Sequence, residues 1–493
     1  MNTKINFDSK AFSSSEIKKI EKKQLDKGVN LIEQASDKIV DFLISNYNNS
    51  GHFVFICGPG NNGADGLWAA YKIITNYFER VIIIMPEKSK TIENANALKK
   101  IKKVTSKIHR TFPTEKIKIK VIIDAIFGIG FNKVIDNKIQ RIIEICNLFS
   151  CPKVSIDIPS GISTDTGIMK NIAFKSDICL SFIGLKYGYF MNDGPDHYSK
   201  LVNYDLVNSE KVIKEKSYLI NMNCFNNFFI TKSKNIHKGN NGTLAIYGGK
   251  SPYYGALILS ALSALKAGVG KVIIFVEKKK INYPNSFPDI ITKDLSEFNI
   301  NSEFSSILIG PGLKPNSFNR KIFEKILLRF KKTMIIDAGC FDLLAKKDTF
   351  QILENSDADI ILTPHPKEAS KLLNITTKEV NNNRIKYIKL ITKNKNSITI
   401  LKGLGSLIFD NKTKKLFLNT SGSQVLATSG SGDVLAGLIG SLVSQKISTL
   451  DAALVSVFFH GRASEDKKIG TSMLELINNI RDELNRSIFF TKS

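Results

Sequence analysis

Long apolar runs, paired cysteines and acidic residues are all in short supply in this chain of 493 residues, and each shortage removes a class of protein. No stretch approaches the roughly 18 consecutive apolar residues that a membrane-spanning helix needs. The start, Met1-Asn2-Thr3-Lys4-Ile5, has no charged segment followed by an apolar one, so neither an export signal nor a membrane partner is expected. The six cysteines (Cys57, Cys146, Cys151, Cys179, Cys224 and Cys340) include no C-x-x-C pair. In a chain long enough to bury a core unaided they read as reduced and mostly buried, as in a cytoplasmic protein. Asp and Glu number 45 against 70 Lys and Arg, a formal net charge of +25. Clustered cations suggest a nucleic-acid partner. Runs such as Lys99-Lys100-Ile101-Lys102-Lys103, however, read as solvated helix faces without interleaved exposed aromatics. No nucleic acid is expected, and the field would instead help gather small anionic ligands.

What is present begins with Leu426-Ala427-Thr428-Ser429-Gly430-Ser431-Gly432-Asp433-Val434-Leu435. Glycines let a backbone approach an anion closely, and the free N–H groups of a following helix start point at it. Asp433 would stand in that first turn, its charge stabilised there, able to take a proton from a substrate hydroxyl. This is an arrangement suited to phosphoryl transfer to an alcohol. Gly249-Lys250-Ser251 resembles the end of a P-loop, but Leu244 stands where that motif needs glycine, which excludes it.

The length suits two domains, and 43% apolar with 23% charged residues reads as globular. Short apolar strands alternate with helical segments, the pattern of an α/β protein with parallel sheets. In the first half the strand candidates are 54–57, 81–85, 121–125, 154–158 and 178–182. In the second they are 243–247, 271–275, 306–308, 334–336, 360–362 and 397–401, with a small-residue helix over 255–267. An Asn-rich pause at 221–227 puts the boundary near 225, giving domains 1–224 and 225–493. The halves show no internal repeat.

Ligand loops in such sheets lie beyond the carboxyl ends of strands, and three of them in the first half carry small polar residues. Cys57-Gly58-Pro59-Gly60-Asn61-Asn62-Gly63-Ala64-Asp65-Gly66 is read as a glycine loop entering a helix near Leu67, able to wrap a diphosphate. Asp124-Ala125-Ile126-Phe127-Gly128-Ile129-Gly130 and Asp157-Ile158-Pro159-Ser160-Gly161 follow strands on the same edge. Together they offer Asn62, Asp124 and Ser160 to one ion, and oxygen-only ligands indicate a hard cation rather than zinc.

With these residues assembled, the chain resembles the bifunctional NAD(P)H-hydrate repair enzymes, in which an NAD(P)H-hydrate epimerase is fused to an ADP-dependent NAD(P)H-hydrate dehydratase. Leu31-Ile32-Glu33-Gln34-Ala35, GPGNNGADG, DAIFGIG and DIPSG match the first part. Lys238-Gly239-Asn240-Asn241-Gly242, Tyr247-Gly248-Gly249, Ile309-Gly310-Pro311-Gly312-Leu313, Leu362-Thr363-Pro364-His365-Pro366-Lys367-Glu368 and Leu401-Lys402-Gly403-Leu404-Gly405 match the second in order. The resemblance implies a Rossmann-like three-layer αβα sandwich followed by a ribokinase-like αβα domain. It implies that Asn61, Asn62, Gly63, Ala64 and Asp65, then Gly128, Ile129, Gly130, Phe131, Asn132 and Lys133, and Asp157 contact the hydrated dinucleotide. Asp157 would be catalytic, and Asn62, Asp124 and Ser160 would bind K+. In the second domain Ala256, Gly312, His365 and Asp433 would line the hydrate pocket. Lys402, Gly403, Leu404, Gly405, Ser406 and Gly432 would hold ADP with Mg2+, and Asp433 would be the base. The implied partners are NAD(P)H hydrates and ADP, and a homo-oligomer is expected. His365 reads as a shape and hydrogen-bonding element, and His460 as a packed helix residue. Ala64, Tyr187, Gly339 and Ser429 depart from the family's usual residues. Two rivals stay open: a vitamin or sugar kinase of the ribokinase-like kind with an accessory nucleotide-binding domain, and a nucleic-acid-binding scaffold carrying decayed enzyme domains.

Overall fold

The computed structural model describes residues 4–113, 117–207, 213, 217–228, 230–232, 241–249, 252–276, 287–300, 303–391 and 393–491. The chain forms two compact units, Lys10–Lys216 and a second built from Met1–Ser9 with Ser217–Ser493. The division expected near 225 falls instead at 216/217. The physical reason is that Ser217–Ile220 is a strand paired with Lys415–Asn419, while Phe225 packs on Phe458 and Phe459. The Asn-rich pause is therefore part of the second core and not a linker.

In the first unit seven strands lie in the order Ile108–His109, Val81–Ile84, His52–Cys57, Ile119–Ala125, Lys153–Ile156, Ser176–Phe182 and Tyr198–Tyr204, every neighbour parallel. Successive side chains alternate between faces. Phe53, Phe55 and Cys57 join one buried cluster with Leu67 and Ala70, and Val54 and Ile56 join another with Ile139, Ile142 and Ile143. Both faces are thus covered by helices, giving three αβα layers. Chain order reverses between His52–Cys57 and Ile119–Ala125, and a crevice opens beyond the strand ends at such a point.

The second unit holds a ten-stranded sheet in the order Ser217–Ile220, Lys415–Asn419, Leu407–Asp410, Ser397–Leu401, Ile360–Leu362, Thr333–Ile336, Ser306–Ile309, Thr243–Tyr247, Lys271–Val276, Ile291–Asp294. Only Leu407–Asp410 runs antiparallel to its neighbours. The helices Tyr254–Lys266 and Ser431–Ser444 pack so closely that a Cβ on Gly437 would stand 2.1 Å from the Ser260 carbonyl oxygen. Ser260 and Ser263 hydroxyls donate to the Asp433 and Val434 carbonyls at 2.9 and 2.7 Å. Small residues there bring the start of the second helix down onto the sheet. Lys238-Gly239-Asn240 and Lys250-Ser251 lie outside the described residues.

Every strand expected from the sequence is present, with ends shifted by one or two residues. The helix expected near Leu67 instead begins at Asn61 and runs to Tyr77, so Gly63 and Gly66 are helical. A Cβ on Gly63 would lie 1.9 Å from the Gly58 oxygen, and one on Gly66 2.6 Å from the Ala125 Cβ. These glycines serve contact between helix and sheet rather than loop freedom. Gly63→Ala should therefore destabilise the first unit by about 1–3 kcal/mol, a fall in melting temperature of roughly 2–4 °C per kcal/mol. Gly60→Ala, whose Cβ would meet nothing within 4 Å, should melt like the parent.

Candidate active sites

A cavity of about 600 Å³ opens at the crevice of the first unit, and its lining includes Asn61, Asn62 and Asp65, the whole stretch from Gly128 to Lys133, and Asp157. Gly63 and Ala64 are buried in the helix behind it. The buried Asn94 side chain, unsuspected from the sequence, donates from Nδ2 to the Gly58 and Gly60 carbonyls at 3.0 and 2.9 Å and so fixes the turn that opens the site.

Asp157 is the most heavily restrained residue here. At the end of Lys153–Ile156 it adopts φ 70°, a left-handed conformation that Asp tolerates better than most residues. Its Oδ1 accepts from the Lys186 ammonium at 2.6 Å and its Oδ2 from the Ile129 N–H at 3.0 Å. Lys186 is fully buried and also donates to Ser181 Oγ and the Phe182 carbonyl. The Tyr189 hydroxyl donates to the Asp157 carbonyl. A counter-charge on one oxygen and an N–H on the other hold the Asp157 carboxylate in place facing the cavity. Lys186 could have been found only by placing Leu185-Lys186 on its short strand.

Asp124 lies at the end of Ile119–Ala125, fully buried. It accepts from Ser160 Oγ and N–H at 2.6 and 2.8 Å, from Ser155 Oγ at 3.1 Å and from the Ile126 N–H at 3.2 Å. Even so, burial pushes its carboxyl up to about 6, so a positive charge nearby would be welcome. Asn62 stands against Gly128, its Cβ 3.2 Å from where a Gly128 Cβ would be, with Asp157 Oδ2 at 3.0 Å from the same point. Both ends of the Asn62 amide are buried without a hydrogen-bond partner among the described residues. The orphaned amide oxygen and the all-oxygen donor set suit an alkali cation.

In the second unit Gly430 caps Ser431–Ser444 at φ 93° and Asp433 stands in the first turn. Its charge is not stabilised as the helix start alone would suggest: burial, and after it Asp337, push it up to about 7 against the pull of Lys402. Lys402 Nζ lies 2.8 Å from Asp337 Oδ1 and 3.3 Å from the place a Gly432 Cβ would occupy. Burial works against its charge, but Asp337, Glu368 and Asp433 outweigh that and raise its pKa. Asp337, 1% exposed, also accepts from Thr363 Oγ1 at 2.7 Å. A cation therefore sits beside the helix start where an anion would dock, flanked by carboxylates that hold it in place.

His365 caps Pro366–Leu373: its Nδ1 accepts from the Lys367 and Glu368 N–H groups at 3.1 and 3.2 Å, with Nε2 3.3 Å from Glu368 Oε1. Burial and then Lys402 lower its pKa, so it serves as a neutral cap. His460 is enclosed within Thr449–Arg462 and pushed down to about 4 by burial. Gly312 takes φ 64°, and a Cβ there would come within 2.5 Å of the Tyr253 oxygen. At the Gly339 departure a Cβ would stand 1.9 Å from the Leu313 oxygen, so only glycine fits the backbone there.

Arg384, 3% exposed, is a residue that sequence reasoning missed. Its guanidinium donates to the carbonyls of Leu404 at 2.7 Å, Leu401 at 3.0 Å and Lys402 at 3.4 Å, and lies 3.1 Å from the Cβ position of Gly403. Burial lowers its pKa to about 10, still charged at neutral pH. It fixes the path of the Lys402–Ser406 loop.

Two three-layer α/β units, one with a glycine-built cavity around a restrained carboxylate and one with a carboxylate and a lysine at a glycine-capped helix start, define a two-domain enzyme of the nucleotide-handling α/β class. Family profiles match residues 28–188 as the YjeF-related protein N-terminus and 244–486 as NAD(P)H-hydrate dehydratase. The bifunctional NAD(P)H-hydrate repair enzyme of Dictyoglomus turgidum is 29% identical over 489 residues, covering 92% of this chain and 93% of its own. That of Escherichia coli is 27% identical, covering 88% and 84%. A Bacillus subtilis ADP/ATP-dependent NAD(P)H-hydrate dehydratase structure, co-crystallised with ATP/Mg2+, is 24% identical with a TM-score of 0.46, covering 51% of this chain and 92% of that one. The chain belongs to the family of bifunctional NAD(P)H-hydrate repair enzymes.

Arg384→Ala should free the loop it clamps. Limited trypsin digestion is expected to cut after Lys402 many times faster than in the parent, and an unchanged digestion pattern would mean that the clamp is dispensable.

Proposed function

We propose that the first unit epimerises the R and S forms of NAD(P)H hydrates and that the second dehydrates the S form to NAD(P)H, converting ADP to AMP and phosphate. The observation that carries this reading is the pair of carboxylates, Asp157 and Asp433, each at the mouth of its own α/β unit within a chain matched by repair enzymes along nearly its whole length. The kinase alternative accounts for the second unit only.

In the second unit the ionised Asp433 takes the proton of the hydroxyl on the damaged nicotinamide ring as that oxygen attacks the terminal phosphoryl of ADP. The O–P bond forms and the bond to AMP breaks. The ring nitrogen's lone pair then expels phosphate, and the neighbouring ring carbon loses a proton to restore the double bond. The Ser431 N–H is taken by the Thr428 carbonyl at 3.2 Å; the Gly432 N–H, with the Lys402 ammonium beside it, is the one to face the charge that builds on the transferring group, and removing such a donor typically costs about 10²-fold or more in rate. The Lys402–Ser406 loop holds the nucleotide, and Ala256, Gly312 and His365 shape the hydrate pocket. Magnesium would supply charge neutralisation beside the phosphates. Among the described residues no group of three or more His, Cys, Asp or Glu is arranged to hold a metal, so phosphate and water oxygens would complete its shell.

In the first unit Asn61–Asp65 and Gly128–Lys133 contact the dinucleotide and Asp157 faces the hydrated ring. Lys133, which has no ion-pair partner among the described residues, gives the cavity a positive charge for the diphosphate. K+ held by Asn62, Asp124 and Ser160 would supply the charge that keeps Asp124 ionised and the loop around Ser160 in place. A cytoplasmic setting suits both the substrates and the six unpaired cysteines.

The base form of Asp433 is the ionised one, so dehydration should rise about tenfold per pH unit below 7 and level off above it. Asp433→Asn should abolish recovery of NADH absorbance from S-hydrate with ADP while epimerisation continues; undiminished recovery defeats the assignment. For the first unit, replacing K+ by Li+, or Asp157 by Ala, should stop consumption of the R form and leave the S form's rate untouched, which chiral chromatography of the remaining hydrate would read.

A further inference from the structure

Helix Ser14–Leu25 forms one wall of the first unit's cavity, and no feature of its sequence had singled it out. Ile17 and Ile20 are buried, and its first turn is tied down by Asp165, which accepts from the Ser14 N–H at 2.5 Å and its hydroxyl at 2.6 Å. This fixed helix presents Lys18 and Glu21 to the cavity that Asp157 faces. The two carboxyls are in opposite situations. Both Asp157 oxygens are engaged, one by a buried ammonium, whereas Glu21 has no hydrogen-bond or ion-pair partner among the described residues and is free to exchange a proton with whatever fills the space.

Resting on the reading of this cavity as an epimerase site, we propose that Glu21 is a second catalytic residue, the acid that protonates the departing hydroxyl of the hydrated ring, with Asp157 as the base that serves the opposite face. The hydroxyl-bearing carbon is next to the ring nitrogen. Its C–O bond breaks as the nitrogen lone pair forms a C=N bond, and the oxygen leaves as water with the proton from Glu21. Water then adds to the other face, the electron pair returns to nitrogen, and Asp157 takes the proton released. The opposite epimer runs the same steps backwards, and the pair of carboxyls resets by exchange with water. No carbon-bound proton is lost.

The electrostatics agree. Burial, followed by the charge of Asp157, outweighs Lys186 and Lys18 and pushes Glu21 up to about 7. Asp65 is likewise pushed well above its usual value, by burial and then by Asp157 and Glu21. Within one cavity, a carboxyl with no partner among the described residues and one held by a buried ammonium and an N–H are placed to divide the roles of acid and base.

The test uses the full chain with ADP, Mg2+ and K+, following R-hydrate and S-hydrate separately. Glu21→Gln should slow R-form consumption by about 10²-fold or more with KM within threefold of the parent. It should also remove the fall in epimerisation above pH 7, while S-form dehydration in the same sample stays unchanged and vouches for the rest of the chain. Glu21→Asp, keeping a carboxyl one methylene short, should recover part of the rate and the alkaline limb. Epimerisation by Glu21→Gln within threefold of the parent, or an alkaline limb that survives the substitution, overturns the role. A parent chain that dehydrates S-hydrate but never consumes the R form overturns the epimerase reading itself, and Glu21's role with it.

Discussion

A carboxyl buried at the end of a parallel strand must receive either a counter-charge or a proton, and most of what is distinctive in this chain follows from how that demand is met. Asp157 receives Lys186, itself buried and held by Ser181 and the Phe182 carbonyl. Asp124 receives four donors, from Ser155 on the neighbouring strand, from Ser160 twice and from the Ile126 N–H, and still rises to about 6. Asp337 receives Lys402 and the Thr363 hydroxyl. Glu21 and Asp433 receive less than they need, and both are pushed to about 7. Of these two, Glu21 faces the open cavity of the first unit, where a proton can come and go.

The glycines show a second consequence of packing helices onto parallel sheets. Gly63 meets the Gly58 carbonyl and Gly58 the Ile126 carbonyl so closely that neither admits a side chain, and Gly66 rests on Ala125. The stretch that looks like a loose phosphate cradle is a tight joint, and what remains open to a ligand is the turn from Pro59 to Asn62, clamped by Asn94, together with Asp65. In the second unit Gly437 and Gly440 do the same for Ser431–Ser444, bringing Gly432 and Asp433 within reach of Lys402. Close packing and anion binding are thus one design, since a helix start can meet a ligand only if the helix is seated deep enough.

The alternation of short apolar runs with helices was enough to read the central strands, because strands buried on both faces are continuous runs of Val, Ile and Phe. The strands not anticipated are edge or hairpin strands, such as Tyr198–Tyr204 and Ile291–Asp294, whose Ser, Lys and Asn residues carry no such run. Residues on glycine-rich loops were legible as site candidates for the same local reason. Glu21, Asn94, Lys186 and Arg384 were not, because each lies on an ordinary helix or strand far along the chain from the loop it serves. Their roles come from tertiary approach. The Asn-rich pause near 225 misleads on the same ground: Ser217–Ile220 is held as a strand by Lys415–Asn419 beside it.

Two proton carriers poised near the same pH with opposite duties give the whole chain a property neither unit has alone. In the proposed roles, Asp433 must be ionised to take a proton, so dehydration would fail on the acid side of about 7, and Glu21 must hold a proton to give it, so epimerisation would fail on the alkaline side. Flux from R-hydrate to NAD(P)H needs both, and therefore peaks between the two limbs, near neutrality, with a bell-shaped profile belonging to the sequence of reactions rather than to one active site. Below that peak S-hydrate accumulates because its consumption is slow; above it R-hydrate accumulates because its conversion is slow. The phosphoryl transfer is the step driven by ADP cleavage, so it draws the reversible epimerisation forward, and the linked units need no shared cavity for the repair to run to completion.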